Sequence, residues 1–354
     1  MTIMQGDTVR QTLTTVMENA KSKRDYVISA PLMRMNDDQE ITWDSAAGPV
    51  ITVPTAHASN QLADYLGIPR KFLERIQKDA PDLISVNVNR LLETHVGESR
   101  MIRTMAGTSR AILSDRYRRL DHEDLCESII IPEILGNPNY EIESIKVTGS
   151  KFYCQIVTPK MQGEIRVGDP IQFGIQISNS EIGLGAWDIS TFIKRLRCKN
   201  GMTGLDFGRK KAHIGGRVFG DGETGILTDE TQKAIDTAFW MESRDYIKSL
   251  TSQDSFDKVM ASLRETANEP VKGDPALVVE ELSSRFSLRE NESKSVLYSF
   301  LSENDHTRWG LANAVTEVAN AHTSYDRAVE LQGMGGTIMA LAGKDWNSIA
   351  SRGI

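Results

Sequence analysis

A glycine-rich stretch at residues 215–225 divides the sequence into two parts with different hydrophobic periodicity. Before it, β-rich runs at residues 140–147, 152–157 and 171–178 alternate apolar and polar positions, which predicts a meander of antiparallel strands. After it, apolar residues recur at helical spacing. The sequence therefore predicts an α+β fold, in which an antiparallel β-sheet with flanking helices is followed by a helical C-terminal domain.

Three segments follow from this change of pattern. Residues 1–40 are expected to form an N-terminal arm or short helix, residues 41–226 an α+β core domain with a basic segment, and residues 227–354 an acidic helical domain. Residues 221–354 hold 13 Lys and Arg against 22 Asp and Glu, a net charge of −9. The first 220 residues hold 28 against 26, a net charge of +2. The acidic C-terminal part and the slightly basic N-terminal part therefore differ in character.

Local signals predict several individual elements. The runs 41–43 and 50–53, separated by a Gly-Pro turn, predict a β-hairpin. Asp121 is a candidate helix N-cap with acidic residues behind it. The stretch 188–196 is compatible with a helix, and Ser287, followed by a glutamate three residues later, predicts a capping box.

Composition and motifs narrow the class of protein. The three cysteines are far apart and form no CxxC pair, which favours free thiols in the cytoplasm. No apolar run approaches the ~20 residues that span a bilayer, so no membrane partner is expected. The sequence has no P-loop, no HExxH and no His/Cys cluster, and we predict no catalytic residue, metal or cofactor. The acids of residues 121–124 could form a metal site, but a helix N-terminus explains them better. An enzyme with an unrecognised site stays an open alternative.

The clearest chemical feature is a basic segment at residues 194–217, where eight cations stand against one acid, Asp206. The cations are Lys194, Arg195, Arg197, Lys199, Arg209, Lys210, Lys211 and Arg217, and Phe207 lies among them. A basic loop with an aromatic residue could follow phosphates and stack a base, as in proteins that bind single strands. The alternative is a solvated surface that offsets the acidic C-terminal part.

Two further groups could contribute to a site. Arg116, Arg118 and Arg119 surround Tyr117 just after a predicted strand, and arginine suits bidentate phosphate contacts while tyrosine can stack. Alternatively, Tyr117 belongs to the core. The trio 179–181 (Asn-Ser-Glu) follows a strand and could bind a ligand, or could simply form a turn.

Five short phrases carry a resemblance to a known family: Leu66–Leu73, Leu113–Leu120, Ile177–Gly183, Arg197–Met202 and Trp309–Thr316. In this order and spacing they resemble the family catalogued as domain of unknown function 932, often labelled phage/plasmid-like protein. The resemblance implies a mobile-element origin and a bacterial host cell, and it supplies no catalytic residue.

A looser resemblance of arrangement, without matched residues, is to the single-strand annealing recombinases of the RecT, Erf and lambda Beta kinds. It implies a basic groove between a sheet and a helix, and rings or filaments. The leading hypothesis is a mobile-element DNA-metabolism protein that binds single-stranded DNA and anneals strands as a homo-oligomer. The alternative is an accessory factor for counter-defence or host takeover that binds a phage or host protein, with Trp240, Trp309 and Trp346 as anchors or as core residues.

Overall fold

The computed structural model describes residues 8–197, 201–204, 209–211 and 229–354. Over these residues the chain has two six-stranded sheets in its N-terminal part and a helical C-terminal region. The predicted α+β fold class is therefore confirmed.

Sheet 1 has the strand order β1-β5-β6-β4-β3-β2. Its strands are β1 Lys23–Ser29, β2 Arg34–Met35, β3 Ile41–Ser45, β4 Gly48–Pro54, β5 Ser99–Met105 and β6 Thr108–Ser114. Neighbouring strands run antiparallel except β4 and β6, which are parallel where Val53 lies beside Thr108. The predicted hairpin is β3–β4, and Gly48 closes it with a φ of 112°, which only glycine adopts readily.

Three helices cover one face of sheet 1: α2 Ala56–Tyr65, α3 Arg70–Asp79 and α4 Asp82–Leu92. The helix α2 begins after Thr55, whose side chain accepts a hydrogen bond from the backbone N–H of Ala58. Buried Leu62, Ile84 and Ile102 belong to the core between these helices and the sheet. Lys23, Asp25 and Arg103 lie at positions that alternate with the core residues of β1 and β5, so they point to the opposite face.

Sheet 2 follows the order of the sequence, β7-β8-β9-β10-β11, with every neighbouring pair antiparallel. Its strands are β7 Glu141–Val147, β8 Phe152–Arg166, β9 Asp169–Asn179, β10 Trp187–Arg195, β11 Gly201–Thr203 and β12 Arg209–Lys211, the last of which also pairs with β10. The predicted meander is confirmed. The predicted helix over 188–196 is wrong, because this segment is strand β10 and is buried at nearly every position.

The remaining helices cover both faces of sheet 2. They are α1 Val9–Ser22, α5 His122–Leu125 with a π-helical continuation Cys126–Ile134, α6 Asp229–Leu250, α7 Gln253–Ala267, α8 Pro275–Phe286, α9 Glu290–Glu303, α10 Arg308–Asn320, α11 Tyr325–Ala340 and α12 Gly343–Ala350. One core joins the sheet to α1, the π-helical segment and α6. A second core joins it to α7–α12. Sheet 2 is therefore a central layer, which explains why β10 lacks a polar face.

Two helix-terminus signals have different outcomes. Asp121 caps α5, as predicted. The prediction for Ser287 is wrong: α9 begins after Arg289, and Ser287 ends α8 in the left-handed conformation at φ 52°. The segment 1–40, expected as an arm or short helix, contains α1 and the strands β1 and β2 of sheet 1.

Glycines allow helix α11 to approach β11 closely. A Cβ added at Gly336 would lie 1.9 Å from the carbonyl oxygen of Thr203, and one at Gly335 would lie 2.3 Å from Cγ2 of Thr316. These glycines are therefore packing residues at the junction of sheet 2 and the helical region. In the described part of the chain, no helix combines the length and apolar composition needed to cross a membrane.

Candidate functional site

A buried ionic cluster lies where the charged face of sheet 1 meets the end of β9 and the start of α5. We call it the seam cluster; its members are Lys23, Asp25, Arg103, Arg110, Asp121, His122 and Glu181. The β1–β5 pairing sets Asp25 directly opposite Arg103. The seam cluster therefore joins three chain segments that are far apart in the sequence.

Arg103 is the central cation of the seam cluster and is fully buried. Its Nε and Nη2 donate to the carboxylate of Asp25 at 3.0 and 3.1 Å, and Nη2 also donates to Asp121 at 2.6 and 2.8 Å. Nη1 donates to the backbone carbonyl of Glu181 at 2.9 Å. The guanidinium thus neutralises two carboxylates and fixes the chain after β9. Its surroundings raise the pKa of Arg103 although burial opposes this, because Asp121 and Asp25 favour the charged form.

Glu181 is the central acid of the seam cluster, with a side chain that is 2 % exposed. It accepts from Lys23 Nζ at 2.5 Å, from Arg110 Nη1 at 3.0 Å and from the backbone N–H of His122 at 2.8 Å. Burial alone would raise the pKa of Glu181, but His122, Lys23 and Arg110 outweigh it and hold this pKa well below its usual range. Burial lowers the pKa of His122, while the neighbouring Glu181 acts in the opposite direction.

The Asn-Ser-Glu trio is part of this region. Asn179 donates from its side chain to the carbonyl of Leu120 at 2.7 Å, and the hydroxyl of Tyr117 donates to the carbonyl of Ser180 at 2.9 Å. All three trio residues are buried. The trio is therefore more than a surface turn, since it anchors the end of β9 against the segment after β6.

A cavity of about 420 Å³ adjoins the seam cluster. Its charged lining residues are Lys23, Arg110 and Glu181, with His57 and His122 beside them. The remaining wall comes from α1, the β5–β6 turn and the β7–β8 turn. This volume lies within the range of roughly 300–1,000 Å³ that small-molecule sites occupy.

Among the described residues, no group of three His, Cys, Asp or Glu side chains could hold a metal ion. Residues 121–124 form a helix start, in which Asp121 and Asp124 make a capping box.

The basic segment is divided between the two ends of β10. Lys194 pairs with Glu143 at 2.6 Å, and buried Arg195 pairs with Asp169 at 2.7 Å. Arg195 is engaged inside the protein, because Asp169 also accepts from the indole of Trp309, whereas Lys194 is 19 % exposed beside Glu143. Arg197 is exposed just after the strand.

At the other end of β10, the strand β12 sets three consecutive basic residues along the edge of sheet 2. Arg209 lies opposite Ile189, Lys210 opposite Asp188 and Lys211 opposite Trp187. The structure describes the backbone of these three residues and not their side chains. Lys199, Phe207 and Arg217 lie outside the described residues.

The second predicted basic group lies near the same end of sheet 2. Arg116 and Arg119 are exposed, and Arg119 Nε lies 3.3 Å from Asp25. Arg118 is largely buried, pairs with Asp236 of α6 at 2.7 Å and lies over the ring of Phe239. Tyr117 is half-buried, and its hydroxyl donates to a backbone carbonyl. This environment agrees with the alternative that Tyr117 belongs to the core.

Sequence reasoning missed the role of Lys23, Asp25 and Arg103. Arg103 stands in an apolar strand between Ile102 and Thr104, and a charged residue in such a run indicates a buried partner. The partner could not be identified, because the residues that Arg103 and Lys23 bind are 78 and 158 positions away.

In comparisons with family models, curated proteins and solved structures, the chain matches none of them. The family resemblance in the five sequence phrases therefore stays a prediction.

Proposed function

We propose that this protein binds single-stranded DNA at one end of sheet 2, using β12 together with Arg116 and Arg119. The observation that supports this best is the convergence of two basic segments that are remote in sequence. Lys194 and Arg195 are not part of the proposed surface, since both are paired and mostly buried, whereas Arg119 beside Asp25 is 54 % exposed.

An aromatic cluster links the two segments. In the β10–β12 backbone pairing, Lys211 lies opposite Trp187 at the start of β10. The centroid of the Trp187 ring lies 5.8 Å from that of the Phe239 ring. The guanidinium of Arg118 lies 4.8 Å over the same Phe239 ring. The residues on either side of Arg118 are therefore held close to the β12 edge by a packed and rigid core.

Charge placement suits a flexible, unpaired strand of nucleic acid. The three consecutive basic residues of β12 place positive charge along an edge of sheet 2. A single strand can follow such an edge through contacts between its phosphates and the basic residues. Basic residues on an edge strand also prevent sheet-to-sheet association, which is the alternative role for β12.

The wider setting is part of the same proposal. A phage- or plasmid-borne protein that anneals strands would act as a homo-oligomer in the bacterial cytoplasm. Cys126 and Cys154 are buried free thiols, which supports a reducing compartment. The alternative is an accessory factor that binds a protein through Trp240, Trp309 or Trp346. All three tryptophans are buried, so none of them is exposed as an anchor for a partner.

The test is binding of labelled single-stranded and duplex DNA to the full chain and to the double variant Lys210→Glu, Lys211→Glu. We expect the wild-type protein to prefer the single strand and the double variant to lose binding. The matched control is Lys258→Glu, Lys294→Glu, which reverses two charges on α7 and α9, where the lysine side chains are 63 % and 75 % exposed. Equal affinity of the two double variants would refute the site.

A further inference from the structure

The charged lining of the cavity beside the seam cluster consists of two cations and one carboxylate. Lys23 and Arg110 face the single carboxylate of Glu181 among the ionised side chains that line it. His122 adds a backbone N–H that is already bonded to Glu181. Outside the lining, Glu123 is a second carboxylate near Lys23, so the unsatisfied donors of this wall belong to Arg110.

Two hydrogen-bond donors of the Arg110 guanidinium have no acceptor among the described residues. Its Nη1 donates to Glu181, while Nε and Nη2 are buried without a hydrogen-bond partner among the described residues. Buried guanidinium donors are costly to leave unpaired, and the usual partner for a planar pair of them is a carboxylate or phosphate. Lys23 lies on the same wall, where Nζ is 3.5 Å from Glu123 in addition to its contact with Glu181.

We propose that this cavity binds a small molecule through an anionic group with at least two acceptor oxygens, either a phosphate or a carboxylate, held by Arg110 and Lys23. The volume of about 420 Å³ accommodates a metabolite-sized ligand. The walls contributed by sheet 1 and by the turns of sheet 2 enclose it at their junction, a common position for ligand sites. Glu181 keeps the two cations in position and sets their spacing.

This site is separate from the proposed DNA surface. Neither Arg116 nor Arg119 lines the cavity. The two proposals therefore fail independently.

The experiment is a calorimetric titration of the nucleic-acid-free full chain with inorganic phosphate, glycerol 3-phosphate and acetate in separate arms. We expect saturable binding near one site per chain for at least one anion, and the preferred arm distinguishes a phosphate from a carboxylate. Arg110→Met should weaken this binding by about 10-fold or more, because it removes charge-assisted hydrogen bonds. The control Arg75→Met removes an arginine of α3 whose side chain is 80 % exposed, and should leave binding unchanged.

Three results would overturn the proposal: no saturable binding in any arm, equal affinity of Arg110→Met and wild type, or loss of binding in the Lys210→Glu, Lys211→Glu variant alone. The last result would assign the anion to the DNA surface. If Arg110→Met does not fold, Arg110→Lys replaces it. This variant keeps the charge but not the planar donor pair, so it should weaken binding less than the loss expected for methionine but still measurably.

Discussion

Replacing Arg103 by methionine tests whether the seam cluster joins the two sheets. The substitution keeps an unbranched side chain of similar length but removes the cation between Asp25 and Asp121, whose side chains are only 11 % and 14 % exposed. Breaking a buried ion pair by removing one partner costs about 3–5 kcal/mol, since the other charge is left uncompensated. Arg103→Met should therefore be among the most destabilising single changes in this region.

The size of the expected effect follows from chain length. An unfolding entropy of about 2.1 cal/mol/K per residue gives roughly 0.74 kcal/mol/K for a chain of 354 residues that unfolds cooperatively. A loss of about 3–5 kcal/mol then lowers Tm by about 4–7 °C. Thermal unfolding followed by circular dichroism at pH 7 measures this directly.

Two comparisons make the result decisive. The exposed Arg75→Met variant should shift Tm by no more than about 1 °C, because surface ion pairs contribute little. Adding Asp121→Asn to Arg103→Met should restore part of the lost stability, since asparagine can still cap α5 and carries no charge. A Tm decrease for Arg103→Met no larger than that of the exposed control would refute the reasoning.

Two further predictions concern the helical region. Hydrogen bonds from Arg327 lower the pKa of buried Glu292 to about 2, below its value in the unfolded chain. The carboxylate therefore stabilises the fold above about pH 4.5, and this contribution disappears as pH falls towards 2. Glu292→Gln should accordingly lower Tm at pH 7 but much less at pH 2.5. Melting curves of the variant and the wild type at both pH values measure this difference. Gly336→Ala should destabilise the fold by about 1–3 kcal/mol or more, because its Cβ would meet the carbonyl of Thr203. Gly343→Ala, which has open space around it, should be nearly neutral. Denaturant unfolding of both variants measures the difference. Equal effects of the two alanines would contradict the close packing of α11 on β11.

Local patterns predicted the elements whose causes are local. The hairpin β3–β4 and the cap at Asp121 depend on residues a few positions apart, and both were predicted correctly. The strand β10 was mistaken for a helix because helices cover both faces of sheet 2, so its sequence has no polar alternation. Ser287 resembled an N-cap, but Arg289 provides the start of α9 and leaves Ser287 to end α8.

The seam cluster and its cavity could not be predicted in the same way. Its charges look like scattered surface residues in the sequence. Only the folded chain shows that Arg110 reaches Glu181, 71 positions later, and that Lys23 reaches it from 158 positions earlier. Such pairs depend on how two sheets meet, which no single segment encodes.

The salt dependence of single-strand binding tests the central proposal most directly. Each phosphate contact contributes about −0.7 to the slope of log Kobs against log salt concentration for single strands. The wild-type chain should bind with a steep negative slope, and Lys210→Gln with Lys211→Gln should reduce its magnitude by about 1.4, the value for two lost contacts. An unchanged slope, or no binding at low salt, would show that β12 is not the DNA surface.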